Sequence, residues 1–451
     1  MKRFLIAGTS SGCGKTTITC AILKALCMRG IKAASFKCGP DYIDPMFHKK
    51  IIGTEAYNLD SFFCDDNTMK YLLYKNSKNC DIAVIEGVMG FYDGADGRGS
   101  AYSVSEITDT PVVMVVDCKG MSDSIGAMMS GFLNYRKPNK IIGFIFNRLP
   151  ARLASFAEKL CRELGTEYFG YIPTSSTVIE SRRLGLVTAD EVTDIKTKMT
   201  EWGRLANEYI LIDKLISAAE RPFSEFRPLP IKRLYDDNSP VIAVARDNAF
   251  CFLYSDNIAL LEELGCRIEY FSPLTDKRLP SGASGLILSG GYPELYAEQL
   301  AANTEMLSEI KRHINHGIPT IAECGGFMYL HTSIEAENGQ KHKMVNVINA
   351  EAYKTDRLQR FGYVTMTAAD NNLLCDKSDK IVAHEFHYWD STDCGCGFTA
   401  KKADGRSWNC CFCTETMYAG YPHIYFYSDI RIAERFVRAC AAYGGNNEKD
   451  K

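Results

Sequence analysis

The chain has 451 residues, 52 Lys and Arg against 55 Asp and Glu, a formal charge of −3 and 46% hydrophobic residues. That length suggests two or three domains of about 150 residues each. Charged residues at 24% and aromatics at 11% exclude a disordered chain, and the near-neutral charge excludes a general affinity for nucleic acid or anionic lipid.

The apolar run that opens at Phe4 stops at Gly8, too short for the h-region of a signal peptide. Val112–Val116 and Ile141–Phe146 are strand-sized, well below the ~18 apolar residues of a membrane span. A cytoplasmic protein is expected, with neither nucleic acid nor membrane as a partner. Eighteen cysteines then read as reduced thiols and not as a disulfide framework. The dense cluster Cys394, Cys396, Cys410, Cys411 and Cys413 lacks a paired CxxC spacing, so loop thiols are favoured over a metal site.

In chain order, strands are predicted at Arg3–Ala7, Ala33–Lys37, Asp81–Glu86, Pro111–Asp117 and Lys140–Asn147, with a helix at Lys15–Arg29. Strands separated by helices imply βαβ units and a mainly parallel sheet covered on both faces. The pattern decays over 220–240, where four prolines sit among charges. It restarts with strands at Val241–Ala245, Arg267–Phe271, Gly285–Leu288 and Pro319–Ala322, and with helices at Ser255–Leu264, Asn303–Asn315 and Arg431–Ala442. The fold class expected is two tandem α/β domains.

Between the first strand and first helix lies Gly8-Thr-Ser-Ser-Gly12-Cys-Gly14-Lys15-Thr16-Thr17. A glycine-rich turn there lets backbone N–H groups wrap a polyphosphate at the positive end of a helix. Lys15 then reaches the β/γ-phosphates and the Thr16 hydroxyl binds Mg²⁺. The second and third predicted strands end in Lys37-Cys-Gly-Pro-Asp41-Tyr-Ile-Asp44-Pro and Glu86-Gly-Val-Met-Gly-Phe-Tyr-Asp93. Ligands of open α/β sheets sit at such carboxyl ends, which makes Asp44 and Glu86 candidate Mg²⁺ ligands and Lys37 a second cation for a transferring phosphoryl group. Asn147, ending the fifth predicted strand, is a candidate reader of the adenine edge.

In the second half, Pro319-Thr-Ile-Ala-Glu323-Cys324-Gly325-Gly326 is an apolar strand feeding a tight turn. A thiol at such an elbow projects outward, and the N–H of Gly325 can hold an oxyanion. Leu288-Ser-Gly290-Gly291-Tyr-Pro-Glu294 offers a second glycine turn, with Gly291 to complete that hole. Among eight histidines, His423 and His387 are the leading candidates for a base, His423 by a small margin.

At these residues the sequence resembles the glutamine-dependent cobyrinate a,c-diamide synthases of corrin biosynthesis, over nearly the whole chain. The phosphate loop, the segments from Lys37 to Pro45 and from Glu86 to Gly90 are similar to the family's ATP domain, itself related to dethiobiotin synthetase. Arg182-Arg183-Leu-Gly-Leu is similar to its Arg-His-Leu-Gly-Leu segment. Ala243–Phe250, Leu288–Glu294, Glu323–Leu330 and Glu385-Phe-His387-Tyr continue the match.

The resemblance implies a P-loop NTPase fold followed by a class I glutamine amidotransferase fold: an ATP-binding amidoligase domain at 1–219, a linker at 220–240 and an amidotransferase domain at 241–445. Cys324 aligns with the nucleophile and His423 with the base. Triad amidotransferases carry an acid two residues after the histidine. That position is Tyr425 here, so no third group is assigned.

The activity implied is ATP- and glutamine-dependent amidation of the a and c acetates of cobyrinic acid in cobalamin biosynthesis. It runs through acyl phosphates, with Mg²⁺ as cofactor and Asp41 and Asp93 near the acyl phosphate. Expected partners are glutamine, ATP and a corrinoid or related tetrapyrrole polycarboxylate, and a homodimer is one assembly this allows. Hydrogenobyrinate and nickel-sirohydrochlorin are alternative substrates. A P-loop switch protein with an inactive amidotransferase-like domain is the alternative of a different class.

Overall fold

The computed structural model describes residues 1–94, 97–174, 189–236 and 239–449, with backbone alone at 189–193 and 446–449. Arg182 and Arg183 lie outside the described residues. Two compact units divide the chain, Met1–Leu229 and Pro230–Lys451, and the division falls inside the proline-rich stretch.

In the first unit β1 (Lys2–Gly8), β2 (Ala33–Cys38), β3 (Glu55–Leu59), β4 (Ile82–Glu86), β5 (Val112–Asp117), β6 (Ile141–Asn147) and β7 (Glu167–Ile172) form one sheet in the order β3-β2-β4-β1-β5-β6-β7. All six pairings are parallel. Central strands read as unbroken apolar runs because both faces are covered; every residue of β4 is buried.

The two strands missing from the sequence-based expectation, β3 and β7, are the edges. Edge strands are half-exposed, and these carry Asn58 or Tyr168, Gly170 and Tyr171 in place of Val and Ile. Glu86 therefore ends the fourth strand and Asn147 the sixth. Residues 220–229 run along this unit: Arg3 Nη2 donates to the Pro222 carbonyl at 2.9 Å, and Phe223 and Phe226 pack on Tyr74.

The helix α1 (Lys15–Met28) follows the phosphate loop and buries Ile18, Ala21, Ile22, Ala25 and Leu26 against the sheet. The short α2 (Ile43–Phe47) follows β2.

The second unit begins with β8 (Val241–Ala245), β9 (Phe250–Phe252), β10 (Arg267–Phe271), β11 (Ala283–Leu288), β12 (Gly290–Gly291) and β13 (Thr320–Glu323). It continues with β14 (Ser333–Glu335), β15 (Lys341–Lys343), β16 (Glu351–Ala368), β17 (Lys380–Ser391), β18 (Phe398–Lys401) and β19 (Ser407–Cys410). The last are β20 (Phe412–Cys413), β21 (Met417–Gly420) and β22 (His423–Ile424). One sheet runs β10-β8-β11-β13-β21-β20, parallel except for the final edge.

A second sheet, not anticipated from the sequence, runs β15-β14-β16-β17-β22 and is mainly antiparallel. Its 18-residue β16 is mostly half-buried and mixes charged, polar and apolar residues, which hides it from a search for apolar runs. Among the described residues no helix is long and apolar enough to cross a membrane.

The turn that follows β13 packs closely against β11. A Cβ on Gly326 would lie 2.0 Å from the Leu288 carbonyl oxygen of β11. Gly326→Ala is expected to destabilise the second unit by about 1–3 kcal/mol. Denaturant unfolding followed by Trp389 and Trp408 fluorescence checks this; an unchanged midpoint would contradict it.

Candidate active sites

In the first unit β1 lies between β4 and β5, so the chain leaves β1 where the strand order reverses, and the phosphate loop forms there. Gly12 and Gly14 adopt φ of 76° and 100°, conformations that favour glycine. Asn147 lies under the loop and donates Nδ2–H to the Cys13 carbonyl at 3.0 Å. A Cβ on Gly14 would lie 2.1 Å from that Nδ2, so the amide group of Asn147 supports the loop. Lys15 Nζ donates to the Ser10 carbonyl at 2.9 Å. Burial lowers its pKa, against the raising effect of Cys13.

Parallel register aligns Lys37 with Glu86 across β2 and β4, and α2 brings Asp44 back over both. Lys37 Nζ, 5% exposed, contacts Asp44 Oδ2 at 2.5 Å and Glu86 Oε1 at 2.8 Å. Thr16 Oγ1 donates to the same Glu86 oxygen at 2.6 Å. Behind them His48, fully buried, sits with Nε2 3.4 Å from Glu86 Oε2 and Nδ1 2.6 Å from Ser35 Oγ.

Burial would raise the Glu86 pKa, but Lys37 and His48 hold it well below the usual carboxylate range. Burial beside Glu86 pushes Asp44 up, to about 8, against the opposing pull of Lys37. For Lys37, the two acids outweigh burial and hold the ammonium charged.

Two acids share one buried ammonium, with a hydroxyl on the shared oxygen. That all-oxygen set fits Mg²⁺, which takes one or two carboxylates beside substrate phosphates. Of the remaining residues, Thr17 follows on α1, half-buried. Asp41 caps α2, its Oδ1 accepting from Ile43 N–H at 2.8 Å, and Asp93 accepts from Gly90 N–H at 2.9 Å.

In the second unit β13 is buried throughout, between β11 and β21. It is followed by Cys324, whose φ of 49° and ψ of −102° mark a strained elbow. The elbow is held by Cys324 N–H donating to Gly420 O at 2.8 Å and Met328 N–H donating to Cys324 O at 2.9 Å. A Cβ on Gly325 would lie 3.1 Å from Gly291 N, so the two glycine turns touch.

His423, 3% exposed, hydrogen-bonds Cys324. Its Nδ1 lies 3.5 Å from Glu323 Oε2, while Glu323 Oε1 accepts from Ile424 N–H at 2.9 Å. Burial works to lower the His423 pKa, yet the proximity of Cys324 and of the Glu323 carboxylate prevails and raises it to about 10.

His387 is engaged elsewhere: Nε2 lies 3.2 Å from Glu385 and Nδ1 2.6 Å from Trp389 O, and its ring stacks on Tyr421 at 3.7 Å. Tyr425 turns away, donating to Asp256 Oδ2 at 2.8 Å. Among the described residues no group of three or more His, Cys, Asp or Glu could hold a metal ion.

Two family models match this chain: a CobQ/CobB/MinD/ParA nucleotide binding domain at residues 4–187 and a CobB/CobQ-like glutamine amidotransferase domain at 241–430. The chain is 36% identical to the cobyrinate a,c-diamide synthase of Caldanaerobacter subterraneus, over 98% of this chain and 99% of that protein. It is 38% identical to that of Fusobacterium nucleatum (96% and 99%) and 36% identical to that of Listeria innocua (95% and 97%). The chain belongs to the cobyrinate a,c-diamide synthase family.

The structure brings Gly12, Gly14, Lys15, Thr16, Lys37, Asp44, Glu86 and Asn147 to one cluster, and Cys324, His423, Gly325 and Gly291 to another. Sequence reasoning missed Ser35, His48 and Glu323. Nothing local marks the first two. Glu323 is adjacent to Cys324, but neighbouring strand residues point to opposite faces, which argues against partnership until the elbow is seen.

Burial lowers the pKa of His331 to about 4 and of His384 to about 3. Each is neutral when folded, so the unfolded chain binds more protons below about pH 6.5, and stability falls as pH drops toward those values. His423 acts oppositely: its contribution is full below about 6.5 and is lost as pH rises toward 10. The second unit is expected to be most resistant to thermal unfolding between these limbs. His331→Gln should flatten the acid limb; an unaltered limb would contradict this.

Proposed function

We propose that this chain is a glutamine-hydrolysing cobyrinate a,c-diamide synthase, converting two acetate side chains of a corrinoid to amides at the expense of ATP. The observation that carries the nitrogen-supplying half is the hydrogen bond between His423 and Cys324 at a strained strand end. Cys324 attacks the side-chain carbonyl carbon of glutamine as its proton passes to His423. The oxyanion faces the N–H groups of Gly325 and Gly291. His423 gives its proton to the departing nitrogen, ammonia leaves, and water then hydrolyses the thioester to glutamate.

A free carboxylate resists attack by ammonia. In the first unit a substrate carboxylate oxygen therefore attacks the γ-phosphorus of ATP, ADP leaves and an acyl phosphate forms. Backbone N–H groups around Gly12 and Gly14 hold the phosphates, with Lys15 and Lys37 neutralising charge as it moves toward the leaving oxygen. Thr16, Asp44 and Glu86 would hold Mg²⁺, which when bound neutralises phosphate charge. Asn147 keeps the loop in shape, and Asp41 positions Asp44 through its cap of α2. Ammonia then displaces phosphate from the acyl carbon. The cytoplasm, where ATP and glutamine are held, is the proposed location, and a homodimer is a separate expectation on which the chemistry does not depend.

The test incubates the protein with glutamine, ATP, Mg²⁺ and each of cobyrinic acid, hydrogenobyrinate and nickel-sirohydrochlorin, measuring glutamate, ADP and product mass. Two amide replacements on cobyrinic acid are expected; no glutamate in any mixture would overturn the proposal. Cys324→Ala should lose glutamine-dependent synthesis by at least about 100-fold yet work with ammonium. Loss of both activities would contradict the separation of roles.

A further inference from the structure

We infer that Glu323 is the acid that orients and charges His423, a positioning residue supplied from the nucleophile's own strand and not from the segment after the histidine. This rests on Cys324 and His423 forming the glutamine-hydrolysing pair. The geometry has three parts. Glu323 Oε2 lies 3.5 Å from His423 Nδ1. Glu323 Oε1 accepts the Ile424 N–H at 2.9 Å, which ties the carboxylate to the backbone next to the imidazole. Tyr425, where a partner acid would otherwise stand, is committed to Asp256. Nδ1 thus faces a carboxylate and the other ring nitrogen is left for the thiol, the arrangement in which an imidazole can pass one proton at a fixed place.

Other titratable groups face His423 too. Cys324 bonds it directly, His384 pairs with it across β17 and β22, and Tyr418 of β21 senses Glu323. Gly290, whose Cβ would come 2.6 Å from His423 Cε1, brings no charge. His384 is held neutral by burial, so the acidic groups set against the imidazole are Glu323 and the Cys324 thiol. The raised pKa of His423 agrees with this balance.

Glu323→Gln is the discriminating variant, because glutamine retains an oxygen for Ile424 N–H and loses only the charge. In the full-length protein the kcat for glutamine hydrolysis is expected to fall about 10- to 100-fold, with KM for glutamine changed by less than about threefold. The alkaline limb of the pH profile should move down by about one unit or more, since an imidazolium without its carboxylate loses its proton earlier. A merely structural role would lower the rate without moving the limb. Wild-type kcat and limb in Glu323→Gln would overturn the inference.

If Glu323→Gln fails to fold, judged by loss of its thermal transition, titration of His423 by NMR in Cys324→Ser decides. With the thiolate gone, a midpoint above about 6.5 is expected from Glu323 alone; one at or below it would overturn the inference. Glutaminase activity retained by Cys324→Ala would instead remove the thiol pair itself.

Discussion

Parallel strand pairing is the constraint on which both clusters depend. Parallel strands in one sheet deliver their carboxyl ends to the same edge, so residues far apart in sequence meet wherever two strand ends are adjacent. Thr16, Lys37 and Glu86 converge because β2, β4 and β1 are neighbours with Lys37 in register with Glu86. Cys324 and Gly291 converge because β13 lies beside β11. The same rule makes one fold class serve phosphate activation in one unit and thiol chemistry in the other. What differs is the turn that follows the strand: a glycine-rich loop opening α1, or a left-handed cysteine opening a five-residue helix.

Each cluster also buries charge, at a cost that packing alone would not require. Burying an ion away from water costs several kcal/mol unless partners surround it. Lys37 has Asp44 and Glu86; Glu86 has Lys37, Thr16 and His48. His423 has Cys324 and Glu323. The partners are mutually compensating: one ammonium stands against two acids in the first unit, and an imidazole against a carboxylate and a thiol in the second. The proposed roles of these charges are to meet a phosphate-bound cation in the first unit and a proton in transit in the second. Apolar replacements would suit stability better and serve neither purpose, which is the usual signature of a functional site.

Much of this was legible in the amino-acid sequence, for physical reasons that also explain what was not. Buried central strands such as β4 and β5 are continuous apolar runs, and the glycines of the phosphate loop sit where positive φ demands them. The edges β3 and β7 lack that signal because half their surface is wet. The β16–β17 pair was invisible because polar and apolar residues alternate irregularly along β16, with register shifts between Lys354 and Gly362. At the sites, groups announced by a motif were found; groups recruited by tertiary packing were not. His48 reaches Glu86 and Ser35 only because the chain turns back through α2 after β2. Glu323 reaches His423 only because the elbow at Cys324 breaks the alternation of the strand. The sequence marks Asn147 as a candidate reader of the adenine edge, whereas its Nδ2 donates to the Cys13 carbonyl, a contact no linear pattern reveals.

The central claim is that one unit activates a carboxylate with ATP while the other releases the nitrogen that replaces its oxygen. Its most direct measurement is a double-isotope experiment on the full-length protein, with ¹⁸O in the acetate carboxylates of cobyrinic acid and ¹⁵N in the amide of glutamine. The account predicts one ¹⁸O in the inorganic phosphate and one ¹⁵N in the product for each amide formed. Phosphate free of ¹⁸O, in a reaction that still forms amide and ADP, would contradict it.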